Sequence, residues 1–446
     1  MNLLGLDIGS SSVKAGLLHD GRIRGKMIRT TFRTTHEGPR VEVDPASLLK
    51  AVAQAIHELG RPAKTADVIG LSVMSPAWVA MDAKGNALTP IVTHQDRRST
   101  EVAIELERRI GKKNFLKWSG NRPIPGGISV TTWAWYMQNE PGMLRGADLV
   151  GHLNTFLHRQ MTGQRVIDPS NASFTGLYST PDQSGWSAKL CDAVGVSQKL
   201  LPEVIEANRI GGTITRAAAT KFGLTEGMPM LAGIVDTSSA MLLSGAAIGQ
   251  LTNNCGSTDV LGLCASRAVP HERLLTRALG VGQKWMSVST LAAAGSALQW
   301  MQHEMFADLK GNGFWKLVNK LAAPHGGKRD AKSSQLPTGT VNFEPYLAGE
   351  RTNVEQRQGA FTGLTLSTTR EQMLAAVIQS LVGASAARLD LFRELGIPMK
   401  SRVMLTGGSA DGLADLLHRE WKGKWSFYVE EEATLRGLAK LEPKKR

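Results

Sequence analysis

The sequence is poor in cysteine and has no long apolar run. Its three cysteines, Cys191, Cys255 and Cys264, are an odd number without metal-ligand spacing, which favours a reducing cytoplasm over a disulfide framework. No apolar run reaches the roughly 18 residues that a membrane-spanning helix needs. The first residues carry no basic segment of the kind that opens a signal peptide. We therefore expect a cytoplasmic protein without a membrane partner.

Several familiar motifs are also missing. The pattern Gly-x-x-x-x-Gly-Lys-Ser/Thr does not occur, which excludes a P-loop NTPase. Ser409 stands where a dinucleotide-binding motif starting at Gly407 would need its second glycine. No His-Glu pair is followed by the second histidine of a zinc protease. No zinc-finger spacing or RNA-binding signature accompanies the net charge of +13, so we expect no nucleic-acid partner.

The apolar pattern that is present predicts an α/β protein. At 446 residues the chain is too long for one ordinary core, so two domains are expected. Leu3–Leu6 and Val13–Leu18 are short apolar runs typical of strands. Asp44 and Pro45 predict the start of a helix that ends at Gly60. Strands that alternate with helices in this way indicate an α/β fold.

Two further patterns lie in the second half of the chain. Thr368 and Glu371 have the spacing of a capping box, which predicts a long helix immediately after them. Residues 322–338 are rich in proline, glycine, lysine and serine, and this composition predicts a mobile surface loop.

A glycine and serine turn between the first two predicted strands is the first candidate phosphate site. It comprises Asp7, Gly9, Ser10, Ser11, Ser12 and Lys14. Backbone N–H groups and hydroxyls in such a turn could form an anion nest. Asp7 could hold Mg²⁺ through water, and Lys14 could reach a terminal phosphate. A plain hairpin with an exposed lysine fits the same residues, and the motif alone leaves both interpretations open.

Two later turns have a similar character. Gly256, Ser257 and Thr258 repeat the pattern of the first turn and predict a second phosphate nest. Gly407, Gly408 and Ser409 follow a short apolar strand and precede a helix, which suits the close approach of a nucleotide to backbone. Each of these turns, taken alone, is also compatible with an ordinary connection.

Asp236 is the candidate general base. It follows a predicted strand, Met230–Ala232, and a glycine, Gly233, so its carboxylate is expected at a strand end facing a cleft. The alternative is a helix N-cap, a position where aspartate is common. Together the four segments supply what phosphoryl transfer needs. These are hydrogen-bond donors to the phosphates, a carboxylate that holds the metal, a backbone surface that binds the nucleotide, and a general base.

Taken together, these segments resemble the FGGY family of carbohydrate kinases, and within it the xylulokinase branch. The resemblance extends over Leu4–Lys14, Val68–Ser72, Gln95–Ser99, Asp168–Ser173, Ala232–Asp236, Pro345–Thr352, Gly359–Gln379 and Thr406–Gly408. It implies two domains of the actin-like ATPase (ribonuclease H-like) fold, residues 1–245 and 246–446, with an active-site cleft between them. It also implies ATP and Mg²⁺ as cofactors, a small sugar as substrate, and Asp236 as the catalytic base.

The predicted strand Val68–Val73 runs to the cleft, so we expect Met74, Ser75 and Trp78, which lie just beyond it, to contact the sugar. The alternative is that they are ordinary core residues. The resemblance adds Asp96 and Asp236 to the sugar site. Met74-Ser75-Pro76 stands where xylulokinases have Gln-Met-His and where glycerol kinases have an Arg-Glu pair. The overall resemblance to the xylulokinase branch makes D-xylulose the first expectation, and gluconate, a heptulose or a polyol stay open.

Two other classes of function are alternatives to a kinase. One is a sugar- or nucleotide-binding regulator without turnover, and the other is a structural actin-like subunit. The two carboxylates Asp7 and Asp236 favour the enzyme, because a protein without turnover has no chemical need for both. The oligomeric state stays open, a homodimer included.

Overall fold

A computed structural model describes residues 1–322, 341–408 and 410–443. Strands and helices alternate along the first half of the chain. The strands are β1 (Leu3–Ile8), β2 (Ser12–His19), β3 (Arg22–Thr31), β4 (Thr34–Glu37), β5 (Arg40–Val43), β6 (Val68–Val73), β7 (Ala77–Met81), β8 (Ile91–Thr93), β9 (Leu149–His152), β10 (Val166–Ile167), β11 (Glu203–Val204), β12 (Ile210–Thr213), β13 (Pro229–Leu231) and β14 (Ile234–Val235). The helices are α1 (Pro45–Leu59), α2 (Arg61–Lys64), α3 (Thr100–Ile110), α4 (Lys112–Ser119), α5 (Val130–Asn139), α6 (Leu153–Thr162), α7 (Pro169–Ser173), α8 (Ala188–Val194), α9 (Arg216–Phe222) and α10 (Asp236–Leu243). Short 3-10 turns occupy Pro141–Leu144 and Gln198–Leu200.

The second half of the chain repeats this alternation. Its strands are β15 (Leu251–Cys255), β16 (Asp259–Ala265), β17 (Leu275–Ala278), β18 (Trp285–Leu291), β19 (Asn342–Glu344), β20 (Ala360–Thr362), β21 (Arg402–Thr406) and β22 (Ser426–Val429). Its helices are α11 (Gly295–Met305), α12 (Gly313–Ala322), α13 (Arg370–Glu394), α14 (Ala410–Leu417) and α15 (Ala433–Arg436), followed by a 3-10 turn at Gly437–Lys440.

The main sheet of the first half brings three strand ends to one edge. Its order is β12-β13-β6-β1-β2-β3, and β14 also pairs with β6. Strand β6 is parallel to both β1 and β14, so Ile8, Val73 and Val235 lie side by side. The residues just before or after these ends are therefore neighbours in space, although they are far apart in sequence. This edge contains Asp7, Met74 and Asp236.

A second sheet in the first half, of order β4-β5-β8-β7-β9, packs aromatic residues beside the main sheet. The second half has its own main sheet, of order β17-β18-β16-β15-β21-β22. Its antiparallel hairpin β15-β16 and the parallel pair β15-β21 correspond to β1-β2 and β1-β6 of the first half. The two turns predicted as phosphate nests thus connect equivalent hairpins.

The predicted start of helix α1 is confirmed in detail. The Asp44 side chain accepts the N–H of Ser47 at 2.7 Å, Pro45 is the first helical residue, and Gly60 follows the last turn with a φ of 74°. Leu48, Val52 and other apolar residues of α1 lie in the core of the first half.

Helix α13 forms as predicted, but its cap lies one residue later than expected. Thr369 accepts the N–H of Gln372, and the Gln372 side chain accepts the N–H of Thr369. Thr368 instead accepts the N–H of Thr365 at 2.8 Å, so the preceding turn uses its hydroxyl. The predicted pair Thr368 and Glu371 is corrected to Thr369 and Gln372.

Removal of this cap should lower stability. We expect Thr369→Ala to reduce the free energy of unfolding by about 1 kcal/mol, because one N–H at the start of α13 loses its partner. Urea unfolding measures the change, with Thr369→Ser, which keeps the hydroxyl, as the matched control. An equal loss from both variants would contradict the cap at Thr369.

Helix α13 is also long and apolar enough, by length and composition, to cross a membrane. Most of it is buried: Leu374, Val377, Leu381, Leu389 and Phe392 belong to the core of the second half. The surface loop predicted for residues 322–338 lies outside the described residues, apart from Ala322 at the end of α12.

The last described segment returns to the first half of the chain. Leu435 and Leu438 pack with Leu3 of β1. A Cβ at Gly437 would lie 1.9 Å from the Ser239 carbonyl oxygen, so this close contact requires glycine. The end of the chain therefore packs on the first half, although it follows the second half in sequence. The domain boundary predicted after residue 245 stays a prediction.

Candidate active site

A cleft of about 680 Å³ lies at the strand ends of both main sheets. Its volume is in the range of small-molecule sites. Most predicted site residues line it: Asp7, Gly9, Ser10, Ser11, Ser12, Lys14, Met74, Ser75, Asp236, Gly256, Ser257, Thr258, Gly407 and Gly408. Ser409 lies outside the described residues, and Trp78 and Asp96 are not on the cleft wall.

Asp7 is a buried carboxylate with two hydroxyl partners. Ser72 on the neighbouring strand donates to Oδ1 at 2.8 Å, and Thr434 donates to Oδ2 at 2.7 Å. Burial raises the pKa of Asp7, and the two hydrogen bonds act in the opposite direction. The contact with Thr434, which comes from the end of the chain, has no signal in the local sequence.

Asp236 faces the same cleft from the first turn of α10. Burial, followed by repulsion from the Asp7 carboxylate, raises the pKa of Asp236 to about 7. The N-cap position belongs to Val235, and the Asp236 side chain accepts the N–H of the adjacent Thr237 at 2.6 Å. The N-cap alternative is therefore wrong, and the carboxylate has a pKa suited to proton transfer near neutral pH.

A buried network fixes the backbone just before Asp236. The N–H of Val235 donates to Ser170 Oγ at 3.0 Å, and the N–H of Ser170 donates to Asp168 Oδ2 at 2.8 Å. Asn154 and Asn171 also donate to Asp168. The segment Asp168–Ser173 thus orients the junction that carries Asp236.

Each of the two predicted phosphate turns is closed by a hydrogen bond from its glycine N–H, and the second turn is one residue shorter than the first. The N–H of Gly9 donates to the Ser12 carbonyl at 3.0 Å, and that of Gly256 to the Thr258 carbonyl at 2.9 Å. A Cβ at Gly9 would have room, with its nearest neighbour 3.8 Å away. At Gly407, by contrast, φ is 105° and a Cβ would lie 2.4 Å from the Cys255 carbonyl. Glycine is a steric requirement at Gly407, where β21 meets the cleft.

Lys14 lines the cleft but already has a partner. Its Nζ lies 2.5 Å from Glu432 Oε2, and Glu430 and Glu431 line the cleft beside it. No local sequence pattern indicates that this acidic segment lies beside a predicted phosphate site. For Lys14 to contact a phosphate, the ion pair with Glu432 must open.

Met74 and Ser75 follow β6 and lie at the cleft, as predicted. Ser75 Oγ is 3.2 Å from His152 Nδ1, and Ser129 Oγ is 2.8 Å from His152 Nε2. Burial lowers the pKa of His152 to about 3, so the imidazole is neutral between the two hydroxyls. His152 fixes the orientation of Ser75, and the sequence analysis missed it because it belongs to another sheet.

Trp78 and Asp96 require a correction, because neither contributes to the cleft wall. Trp78 is 3% exposed and stacks on Tyr136, with ring centroids 5.2 Å apart. The chain enters the second sheet at β7, which directs this indole into an aromatic core. Asp96 accepts the N–H of Val41 at 2.8 Å and pairs with Arg98 Nη2 at 2.7 Å. Both side chains stabilise the structure beside the cleft.

Within the described residues, no group of three or more His, Cys, Asp or Glu side chains is arranged to hold a metal ion. Asp7, which is buried, and Asp236, which is partly buried, are nevertheless two carboxylates on one cleft. Mg²⁺ in phosphoryl-transfer sites is commonly held by one or two carboxylates together with substrate phosphates and water. The residues present fit a metal bound jointly with a nucleotide.

Similar hairpins on two sheets line one cleft, and a carboxylate of raised pKa lies on the same cleft. The family models of the N-terminal and C-terminal domains of the FGGY family of carbohydrate kinases match residues 2–243 and 251–413. The chain belongs to the FGGY family of carbohydrate kinases.

The chain is similar to xylulose kinases along most of its length. It is 26% identical to the xylulose kinase of Escherichia coli K12, over 91% of this chain and 82% of that protein. The crystal structure of the xylulose kinase from Rhodospirillum rubrum matches with a TM-score of 0.82 and 22% identity, over 98% of this chain and 88% of the other. That of the gluconate kinase from Lactobacillus acidophilus matches with a TM-score of 0.84 and 18% identity, over 99% and 88%.

These similarities confirm the resemblance to the xylulokinase branch and the two-domain actin-like fold. The protein is a phosphotransferase that acts on an alcohol group of a carbohydrate. The roles of individual cleft residues stay predictions.

Proposed function

We propose that the protein transfers the γ-phosphoryl group of ATP to a hydroxyl of D-xylulose, with Mg²⁺ as cofactor. The observation that carries this proposal is the convergence of Asp7, Asp236 and two phosphate-type turns on one cleft. The xylulose kinases among its relatives support the choice of sugar. A cytoplasmic location and the absence of nucleic-acid and membrane partners stay predictions.

In this proposal each part of the cleft has one task. Gly9 to Ser12 and Gly256 to Thr258 bind the phosphates of ATP, and Gly407 and Gly408 accept its adenosine. Asp7 would hold Mg²⁺ together with the phosphates, and the ion would neutralise charge on the phosphoryl oxygens. Asp236 orients the sugar hydroxyl and takes its proton late in a loose transition state.

A second candidate substrate is a sugar acid such as gluconate, or a heptulose. Met74 and Pro76 offer no polar side-chain group at the sugar end of the cleft, whereas xylulokinases place a glutamine and a histidine there. A substrate other than xylulose would account for the different residues at positions 74 and 76.

A coupled assay of ADP release tests both candidates. Purified protein with Mg·ATP is tested against D-xylulose, gluconate, a heptulose, glycerol and other polyols. The proposal predicts the highest kcat/KM for D-xylulose. A preference for gluconate or the heptulose would move the assignment to the second candidate, and no turnover on any acceptor would refute the kinase itself.

Ser75 is expected to contribute to sugar affinity. Its hydroxyl lies on the cleft just beyond the end of β6, and an unmade hydrogen bond costs about 1 kcal/mol. Ser75→Ala should raise the KM for the sugar by about 5-fold and leave kcat within about 3-fold. The matched control is Ser129→Ala, because Ser129 contacts the same histidine but does not line the cleft. Equal effects of both variants would show that only packing around His152 had changed.

A further inference from the structure

A segment of the second half, residues 345–357, reaches across to the first half, and we call it the bridging loop. Gln356 Oε1 accepts from Arg97 Nε at 3.1 Å, and Asn353 Oδ1 accepts from Arg122 Nη1 at 3.1 Å. Within the loop, Arg357 pairs with Glu350 at 2.8 Å. The loop is therefore anchored to both halves, and whatever it places at the cleft is held there firmly.

The residue that the bridging loop places at the cleft is Arg351. It is only 9% exposed, and it lines the cleft together with Asp236 and His94. Within the described part of the chain no hydrogen-bond partner exists for its buried Nε. Buried guanidinium groups are normally paired, so this one is arranged for a group that the protein itself does not supply.

The charges around Arg351 indicate what that group is. Burial, followed by the positive charge of Arg97, lowers the pKa of Arg351 to about 9, and only the Asp236 carboxylate opposes this shift. Arg97 itself donates to carbonyl oxygens and to Gln356. The Arg351 guanidinium thus lies near one carboxylate, that of Asp236, at this end of the cleft, with the charge of Arg97 close to it, and an oxyanion would complete the site.

We propose that Arg351 binds the transferring phosphoryl group and stabilises its equatorial oxygens during transfer. The proposal rests on the kinase function proposed above. The sugar oxygen forms a new bond to the γ-phosphorus while the bond from that phosphorus to the β–γ bridging oxygen breaks. The sugar proton passes to Asp236, and ADP leaves with the bridging oxygen. Since Asp236 must lie next to the attacking hydroxyl, an arginine beside Asp236 is also beside the phosphorus.

The competing source of an oxyanion is the substrate itself. A sugar acid would place its carboxylate on Arg351, and the arginine would then determine acceptor affinity. The two sources differ in when the contact forms. A substrate carboxylate contacts Arg351 in the sugar complex without nucleotide, whereas the phosphoryl group contacts it only with ATP or a transition-state mimic.

The experiment compares Arg351→Gln and Arg351→Lys with Arg267→Gln. Arg267 is the matched control, since it is an exposed arginine of the second half that does not line the cleft. Steady-state kinetics use whichever acceptor gives the wild-type enzyme its highest kcat/KM, so a wrong choice of sugar is detected separately. Calorimetry measures the sugar alone and Mg·ADP alone. A thermal shift measures Mg·ADP with aluminium fluoride and the sugar, which mimic the transition state.

We expect Arg351→Gln to lower kcat about 10- to 100-fold, with Arg351→Lys intermediate and Arg267→Gln within about 3-fold of wild type. Sugar and Mg·ADP affinities should change less than about 3-fold, which also shows that the variant is folded. The extra thermal stabilisation by aluminium fluoride should be lost in Arg351→Gln. A raised sugar KM with unchanged kcat, or a loss of activity confined to acidic acceptors, would overturn the proposal.

Discussion

Asp236→Asn should lower kcat by roughly 10²–10⁴-fold on whichever sugar the enzyme phosphorylates. The amide keeps the shape of the carboxylate but cannot accept the proton of the attacking hydroxyl. Asp236 is the first residue of α10, and the Asp168–Ser170 network holds the backbone before it. The substitution should therefore remove the chemistry and leave the junction intact.

Single-turnover and steady-state kinetics measure this effect, and calorimetry measures sugar binding. Asp308→Asn, a matched change at an exposed carboxylate paired with Arg370, is the control and should stay within about 2-fold of wild type. Sugar affinity should change far less than kcat. A near-normal kcat for Asp236→Asn would show that another group takes the proton.

The same assignment fixes the direction of the pH dependence. A general base works only when deprotonated, so kcat/KM should fall as the pH drops through the pKa of Asp236, by tenfold per pH unit at the limit. That pKa is about 7 in the protein alone, and the positive charge of Arg351 already opposes the upward shift. Bound Mg²⁺ adds positive charge, so the midpoint should lie at or below about 7. A rate that rises in acid would contradict a base at this position.

The positions of the strand ends could be predicted from the sequence, because local patterns determine them. A short apolar run followed by glycine marks the end of β1 before Gly9, and Gly233 marks the turn before β14. Parallel pairing with β6 then brings these ends together without further information. Asp7, Met74 and Asp236 reach the cleft for this reason.

Contacts between distant segments had no such local signal. Lys14 and Glu432 are separated by 418 positions, and Ser75 and His152 belong to different sheets. Trp78 was grouped with Met74 because the two are close in sequence, yet β7 begins between them and carries the indole into an aromatic core. Arg351 lies in a loop without periodic structure, where neither its burial nor its unpaired Nε could be inferred.

Asp7→Asn should abolish efficient use of Mg·ATP while sugar binding survives. Asp7 is buried and Asp236 partly buried on one cleft, and the Asp7 charge raises the pKa of Asp236. A divalent cation held by Asp7 would therefore relieve an unfavourable charge. An amide at position 7 can still bond to Ser72 and Thr434 but has no negative charge for the ion. A metal contributes several kcal/mol to phosphoryl transfer, so kcat/KM for Mg·ATP should fall by roughly 10²–10⁴-fold.

Two measurements separate this metal role from a structural one. Kinetics at increasing Mg²⁺ concentration should show partial recovery in Asp7→Asn, and calorimetry should show sugar affinity within about 3-fold of wild type. Thr434→Val is the matched control, because it removes one hydrogen bond at 2.7 Å but keeps the charge of Asp7. It should cost no more than about 10-fold, the effect of one hydrogen bond to a charged group. Lost sugar binding with intact Mg·ATP binding would place Asp7 at the sugar and remove it from the metal site.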